Sequence, residues 1–173
     1  MAMLHLLRHA KSSTKDGMED HERGLSRRGR ETARRVGKHL PSSLGALDLV
    51  LCSSARRTRE TLDLVLAGFM PRPRCIIEDG LYLASADRLM DRLRQIEDRD
   101  ENVLLIGHNP GIHELAVALA DKSSANFGAL ISGKFPTTAY ASFHVPTAWS
   151  ALGRTQSELI AYVTPESKAH GKE

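Results

Sequence analysis

The sequence predicts an α/β domain built on a mainly parallel sheet, and three observations predict it. Short apolar runs rich in β-formers alternate with stretches of helical period, the helical stretches carry narrow apolar stripes, and no repeat or compositional break divides the chain. In chain order, strands are expected at residues 3–7, 48–52, 75–77, 103–106, 139–145 and 158–163. Leu25, Gly29, Ala33, Val36 and Leu40 step by three or four and mark one face of a first helix, with Gly29 placed to let it approach the sheet closely. Residues 58–66 continue a second helix after "CSS". Leu89, Leu93 and Ile96 mark a third apolar stripe, and Ile112, Leu115, Ala116 and Leu119 a fourth. Residues 121–136, rich in Ser, Gly and Ala, read as a loop. Residues 1–165 read as one domain and 166–173 as a polar tail expected to fray.

The chain has 173 residues, enough to bury a sizeable core, with 41% hydrophobic and 26% charged residues. No window approaches the roughly 18 apolar residues of a membrane helix, and the N-terminus lacks the pattern of a signal peptide. Cys52 and Cys75 form no metal-type or CxxC spacing, so the expected compartment is the cytoplasm. The net charge of +3 owes much to one segment, from Arg23 to Lys38. That segment could attract anionic substrates or nucleic acid, but no aromatic residues interleave for base stacking. It reads instead as the solvated face of an amphipathic helix, and neither a nucleic-acid nor a membrane partner is expected.

Ligands of open parallel sheets bind beyond the carboxyl ends of the strands, and three such ends here carry unusual polar residues. The first strand ends in Arg8-His9. The second, in "LDLVLCSSARRTRET", runs into Ser53, Ser54 and a burst of arginines; the fourth, in "NVLLIGHNPGI", ends in Gly107-His108-Asn109-Pro110. A lone histidine beside a core is usually a satisfied structural residue. Together these ends bring two imidazoles and at least two guanidinium groups to one crevice, with no comparable number of acids, an arrangement that is costly until an anion arrives. Asn109-Pro110 has the form of an N-cap followed by a first-turn proline, and Ser53 or Ser54 is placed to cap the helix carrying Arg57. Helix N-termini and arginines both suit phosphate oxygens.

A neutral imidazole is a competent nucleophile toward phosphorus, which gives His9 a chemical reason to stand there. In-line transfer spreads charge over equatorial oxygens that Arg8, Arg57 and His108 could hold, so neither a metal nor another cofactor is expected. Glu78 or Asp79, in "CIIEDGLY" just past the third strand, is a candidate general acid, with a turn or capping role as the alternative for either. Three other patterns carry less. "GALISGKF" matches a phosphate-binding G-x4-G-K loop but has Phe135 where a magnesium-binding hydroxyl belongs. Cys52 and Arg57 are one residue too close for a Cys-x5-Arg loop; Cys52 reads as a buried strand-end residue, open to oxidation if it borders the pocket. His5 and His9 lie four apart without an evident third metal ligand.

The segments "LLRHAKS", "DHERGLSRRGRETA", "VLCSSARRTRET", "LYLASADRL" and "VLLIGHNPGI" resemble, in order and over about two-thirds of the chain, the histidine phosphatase superfamily. Within this phosphoglycerate-mutase-like family the chain is most similar to the small SixA-type phosphohistidine phosphatases. The resemblance implies a three-layer α/β/α sandwich, phosphorylation of His9, phosphoryl binding by Arg8, and His108 as the second histidine. In the family's Ser-x3-Arg-x3-Thr pattern, Arg57 falls between Ser53 and Thr61, leaving Arg56 and Arg59 as surface charges. The implied substrate is phosphohistidine on a histidine-phosphotransfer protein. Ala10 replaces the glycine frequent after the nucleophile, and no long insertion is present to cover the site, which is therefore expected to be open. A phosphatase or mutase acting on a small phosphomonoester, and a non-catalytic phosphate-recognition module, remain as other readings of the same pocket.

Overall fold

The structure is a computed structural model that describes residues 1–14 and 17–165, so the expected tail at 166–173 lies outside the described residues. Six strands form where the apolar runs stand: β1 (Ala2–Arg8), β2 (Leu49–Ser53), β3 (Arg74–Glu78), β4 (Asn102–Gly107), β5 (Tyr140–Val145) and β6 (Glu158–Val163). They make one sheet in the order β3-β2-β4-β1-β5-β6. The first four strands by chain order are mutually parallel, while β5 runs antiparallel to both β1 and β6. β2 and β4 read as almost unbroken apolar runs because both of their faces are covered.

Among the described residues that cover comes from α1 (Arg27–Leu44), α2 (Arg56–Val65), α3 (Ala86–Leu93), α4 (Gly111–Leu119) and α5 (Phe127–Ser132). From β1 to β2 to β3 the chain moves toward one edge of the sheet, and from β3 to β4 it returns. Right-handed crossovers taken in opposite directions place their helices on opposite faces. Accordingly Ala33, Val36 and Leu40 of α1 and Leu62 and Val65 of α2 share one core with Leu7, Val50, Cys52 and Ile106. Leu89 and Leu93 of α3, Ile112, Leu115 and Leu119 of α4 and Leu130 of α5 share the other with Leu4, Leu6, Leu51 and Leu105. The result is a three-layer α/β/α sandwich with a mainly parallel sheet. No described helix is long and apolar enough to cross a membrane, and both cysteines are unpaired.

Two local expectations need correction. The segment read as a loop contains α5, whose single turn and a half is too short for helical period to show; Leu130 anchors it in the core. Gly128 lies inside that helix, so "GALISGKF" is no phosphate-wrapping loop. Gly29 serves a close approach, but not to the sheet: a Cβ there would stand 2.0 Å from the Lys11 carbonyl oxygen. The start of α1 is thus docked on the loop that follows His9, where the Ser26 amide also donates to the Lys11 carbonyl.

Candidate active site

Strand register assembles the centre of the site. Arg8 pairs with Gly107, so the next residue on each strand, His9 and His108, emerges beside the other. Their ring centroids are 5.3 Å apart, and the His9 amide donates to the Gly107 carbonyl at 3.1 Å. From the far side, Thr138 clamps the same corner: its amide lies 3.0 Å from the Arg8 carbonyl and 3.2 Å from that of His9. Thr138 holds φ at 62°, a region β-branched residues rarely enter, and backbone strain of this kind gathers where a chain must be held in one geometry.

The Ser-x3-Arg-x3-Thr pattern divides three tasks along one strand end and one helix face. The Ser53 hydroxyl lies 2.7 Å from His108 Nε2. At the second residue of α2, the side chain of Arg57 is buried, with Nη2 3.5 Å from His108 Nδ1. A turn further on, the Thr61 hydroxyl accepts from the Ala10 amide at 3.0 Å and donates to the Arg57 carbonyl, tying the chain just past His9 to the helix. Of the neighbouring arginines, Arg56 pairs with Glu60 on the surface, and Arg59 donates to the Ser54 carbonyl. Arg8 donates through Nη1 to the Phe135 carbonyl at 3.1 Å. The Nε atoms of Arg8 and Arg57 are both buried without an acceptor among the described residues.

Electrostatics keep both imidazoles neutral. Burial, opposed by the Ala10 hydrogen bond and reinforced by the charges of Arg57, Arg8 and Arg23, pushes His9 down to about 4. Burial and then His9 and Arg57 push His108 down to about 3. The His9 Nδ1 lies 2.6 Å from the Ala10 carbonyl, which only accepts, so Nδ1 carries the proton and Nε2 keeps its lone pair. Arg57 only donates, so a neutral His108 presents its Nδ1 lone pair to it and its Nε2–H to Ser53. Burial, together with the charge of Arg57, also lowers Arg8.

The cup is not bare of acid, nor is it open. Asp20, in a short 3-10 turn (Asp20–Glu22), accepts from Arg57 Nη2 at 3.0 Å, from Arg23 Nη2 at 2.9 Å and from the Tyr82 hydroxyl in a short hydrogen bond. The Tyr82 hydrogen bond, with further help from Arg23 and Arg57, holds the Asp20 carboxyl well below the usual range. Tyr82 stands edge-on to His108 at 5.5 Å and to His21 at 4.8 Å, and His21 Nε2 lies 2.9 Å from the Ser54 hydroxyl. Beneath this cover His9 is 6% exposed and Arg57 and His108 only 3%. The covering residues come from the connection between β1 and α1 and from the turn after β3, so no insertion elsewhere in the fold is needed. Asp20 stands in "DHERG", inside the stretch that carries the family resemblance, but nothing in its spacing marks it as a partner of Arg57. Thr138 left no signal, because a positive φ at a threonine has no sequence signature.

Several expected roles are absent. Both oxygens of Glu78 accept from Arg92 of α3 at 2.8 and 2.9 Å, and Asp79 is exposed. Glu78 pairs with Ser53 across the sheet, one strand from the site, but its carboxylate is turned away to α3 and held there by Arg92. Asn109 does not cap α4; its Nδ2 donates to the Phe135 carbonyl at 2.7 Å, and the cap position falls to Pro110. Neither serine is the side-chain cap of α2, since their hydroxyls are turned to His108 and His21. Cys52 is fully buried and its thiol is pushed up to about 12, so it is not a reactive site.

An imidazole with a free lone pair stands beside buried guanidinium groups and a second imidazole, a constellation suited to an oxyanion. The chain belongs to the histidine phosphatase superfamily. The sequence model of its branch 1 matches residues 4–82, a span that includes Arg8, His9 and Arg57. An uncharacterized protein of Mycobacterium leprae is 35% identical over 164 residues, covering 92% of this chain and 99% of that protein. Among solved structures, one from Nakamurella multipartitia assigned to the phosphohistidine phosphatase SixA is 28% identical, with a TM-score of 0.82 over 95% of this chain and 96% of that one. The protein histidine phosphatase SixA complexed with tungstate shares the fold at a TM-score of 0.78 and 18% identity, over 96% of this chain and 99% of that one.

Proposed function

We propose that the protein is a phosphatase that removes the phosphoryl group of a protein phosphohistidine through a covalent intermediate on His9. The observation that carries this reading is the fixed tautomer of His9: Nδ1–H is spent on the Ala10 carbonyl, and Nε2 is left as the nucleophile. In the first step the Nε2 lone pair attacks phosphorus while the bond to the substrate imidazole breaks, and that imidazole leaves with the bonding pair. Arg8, Arg57 and His108 hold the equatorial oxygens. An arriving phosphoryl dianion favours protonation of His108, whose charge then adds to that of the guanidinium groups around it. In the second step water attacks phospho-His9, phosphate leaves, and Nε2 recovers its lone pair. A substrate imidazole protonated on its other nitrogen leaves as a neutral molecule, so a strong general acid is not required, in keeping with the commitment of Glu78 to Arg92.

The guanidinium groups supply the charge that a metal supplies elsewhere, so turnover is expected to persist with a chelator present. Unpaired Cys52 and Cys75 go with a cytoplasmic setting for this activity, and a histidine-phosphotransfer protein is the partner class it implies. The test is to treat the protein with a radiolabelled phosphohistidine protein and quench within one turnover. The expected label is acid-labile and base-stable, and it is absent from His9→Ala. Phosphate release without such a label would exclude the intermediate, and faster turnover of sugar phosphates than of phosphohistidine would reassign the substrate class.

A further inference from the structure

Beside the cup lies a second cavity, about 370 Å³ in volume, whose wall is formed by Arg23, Arg27, Arg30 and Arg56 over a partly apolar floor of Met18 and Leu25. No carboxylate lines it among the described residues. Three of these arginines are weakly neutralised. Arg27 meets Glu31 at 3.6 Å with both side chains well exposed, Arg56 meets Glu60 at 3.5 Å, and Arg30 makes no ion pair among the described residues, giving one donor to the Leu25 carbonyl. Exposed pairs of this kind contribute little.

The local placement also runs against helix electrostatics. The first turn of α1 begins Arg27-Arg28-Gly29-Arg30 and holds no acid, although the positive end of a helix favours anions and disfavours cations. Cations gathered there gain only when an anion sits among them. The cavity is joined to the cup through a single carboxylate: Asp20 holds Arg57 with one oxygen and Arg23 with the other, at 3.0 and 2.9 Å. Arg23 is therefore both a wall of the cavity and near enough to the cup for its charge to act on His9.

We propose that this arginine-lined pocket takes an acidic side chain of the substrate protein, carried close in sequence to the histidine whose phosphoryl group enters the cup. The inference rests on the phosphohistidine reading above. Guanidinium groups bind carboxylates through paired donors, and the Met18–Leu25 floor suits the methylene stem of a glutamate or aspartate. Residues up to four apart in a peptide can span two sites separated by little more than one carboxylate. The basic segment from Arg23 to Lys38 then has a task beyond being the solvated face of a helix.

The test compares phosphohistidine peptides whose flanking residues are Asp and Glu with peptides bearing Asn and Gln, alongside free phosphohistidine. The wild type is expected to prefer the acidic peptides in kcat/KM by roughly five- to tenfold, the yield of about two partly exposed ion pairs. The preference should shrink in high salt. The R27Q/R30Q double variant should lose it while hydrolysing free phosphohistidine at the wild-type rate, and R27K/R30K should retain most of it. Equal kcat/KM for acidic and neutral peptides, or a preference that survives in R27Q/R30Q and R56Q alike, would overturn the proposal. Free phosphohistidine reads the function by itself. Should it not be hydrolysed, the pocket is read through inhibition of p-nitrophenyl phosphate turnover by the unphosphorylated acidic peptide. Inhibition weakened in R27Q/R30Q supports the pocket, and absent or unchanged inhibition rejects it.

Discussion

His5 and His9 are carried four residues apart by the same strand and its exit, both are buried, and both imidazoles are pushed down to about 4 chiefly by burial. Their surroundings differ in two respects. His5 has both ring nitrogens filled, by the Ser142 hydroxyl at 2.7 Å and by Asn102 Oδ1 at 2.7 Å. His9 has one nitrogen filled by a backbone carbonyl and the other left over, on a ring that packs against His108 under the charges of Arg57 and Arg8. A depressed pKa is therefore common to a structural histidine and a candidate nucleophile. What separates them is whether the last lone pair is spent, and whether positive charge stands where an oxyanion would come to rest.

The largest expected effect breaks the comparison at its reactive half. His9→Ala should lower phosphatase turnover by about a thousandfold or more with little change in stability, since it removes the attacking atom. His5→Leu should do the reverse: it strands Ser142 and Asn102 and should cost about 1–3 kcal/mol in urea unfolding, with kcat/KM of the folded fraction within about twofold of wild type. Loss of turnover in folded His5→Leu would show that the two histidines are not independent. Next, Arg57→Ala should reduce kcat by about a hundredfold or more, whereas Arg56→Ala should leave turnover of a small phosphorylated substrate nearly unchanged. If Arg56 proved the costlier loss, the inward-facing arginine would have been misassigned.

A smaller effect sharpens what the two histidines share. His5, His9 and His108 are lowered to about 4, about 4 and about 3 in the folded chain, against an unfolded value near 6.5. Between these limits the unfolded chain binds more protons, so the slope of unfolding free energy with pH is positive. Their contribution is fully present above about pH 6.5 and is lost progressively as pH falls toward 4. Urea midpoints measured from pH 7.5 to 4.5 should fall steadily, and His5→Leu should flatten that fall. The smallest expected effect is that of Glu78→Gln. It weakens the ion pair with Arg92, costing about 1 kcal/mol or less of stability, and should leave hydrolysis of an alkyl phosphate unchanged. A selective loss on that poor leaving group would return Glu78 to the reaction.

The sheet and most of its helices were legible because buried strands and amphipathic helices leave apolar runs and stripes. The convergence of Arg8-His9 with Gly107-His108 was legible too, because parallel strands place their carboxyl ends on one side. The partner of each carboxylate was not, and this is why Glu78 looked available: only the packing of α3 reveals that Arg92 holds it. Asp20 was hidden because its partners, Arg57 and Tyr82, are 37 and 62 residues away and no periodicity links them. The capping roles of Asn109, Ser53 and Ser54 failed for a shared reason. Each side chain had a stronger tertiary partner than the helix end beside it.

The pairing of Arg8 with Gly107 has a kinetic and practical consequence. Ninety-nine residues separate the two imidazoles along the chain, and only the completed middle of the sheet holds them together. A form of the polypeptide in which these two strands are not yet paired lacks a working centre, so during refolding the recovery of enzymatic competence has to await this long-range event.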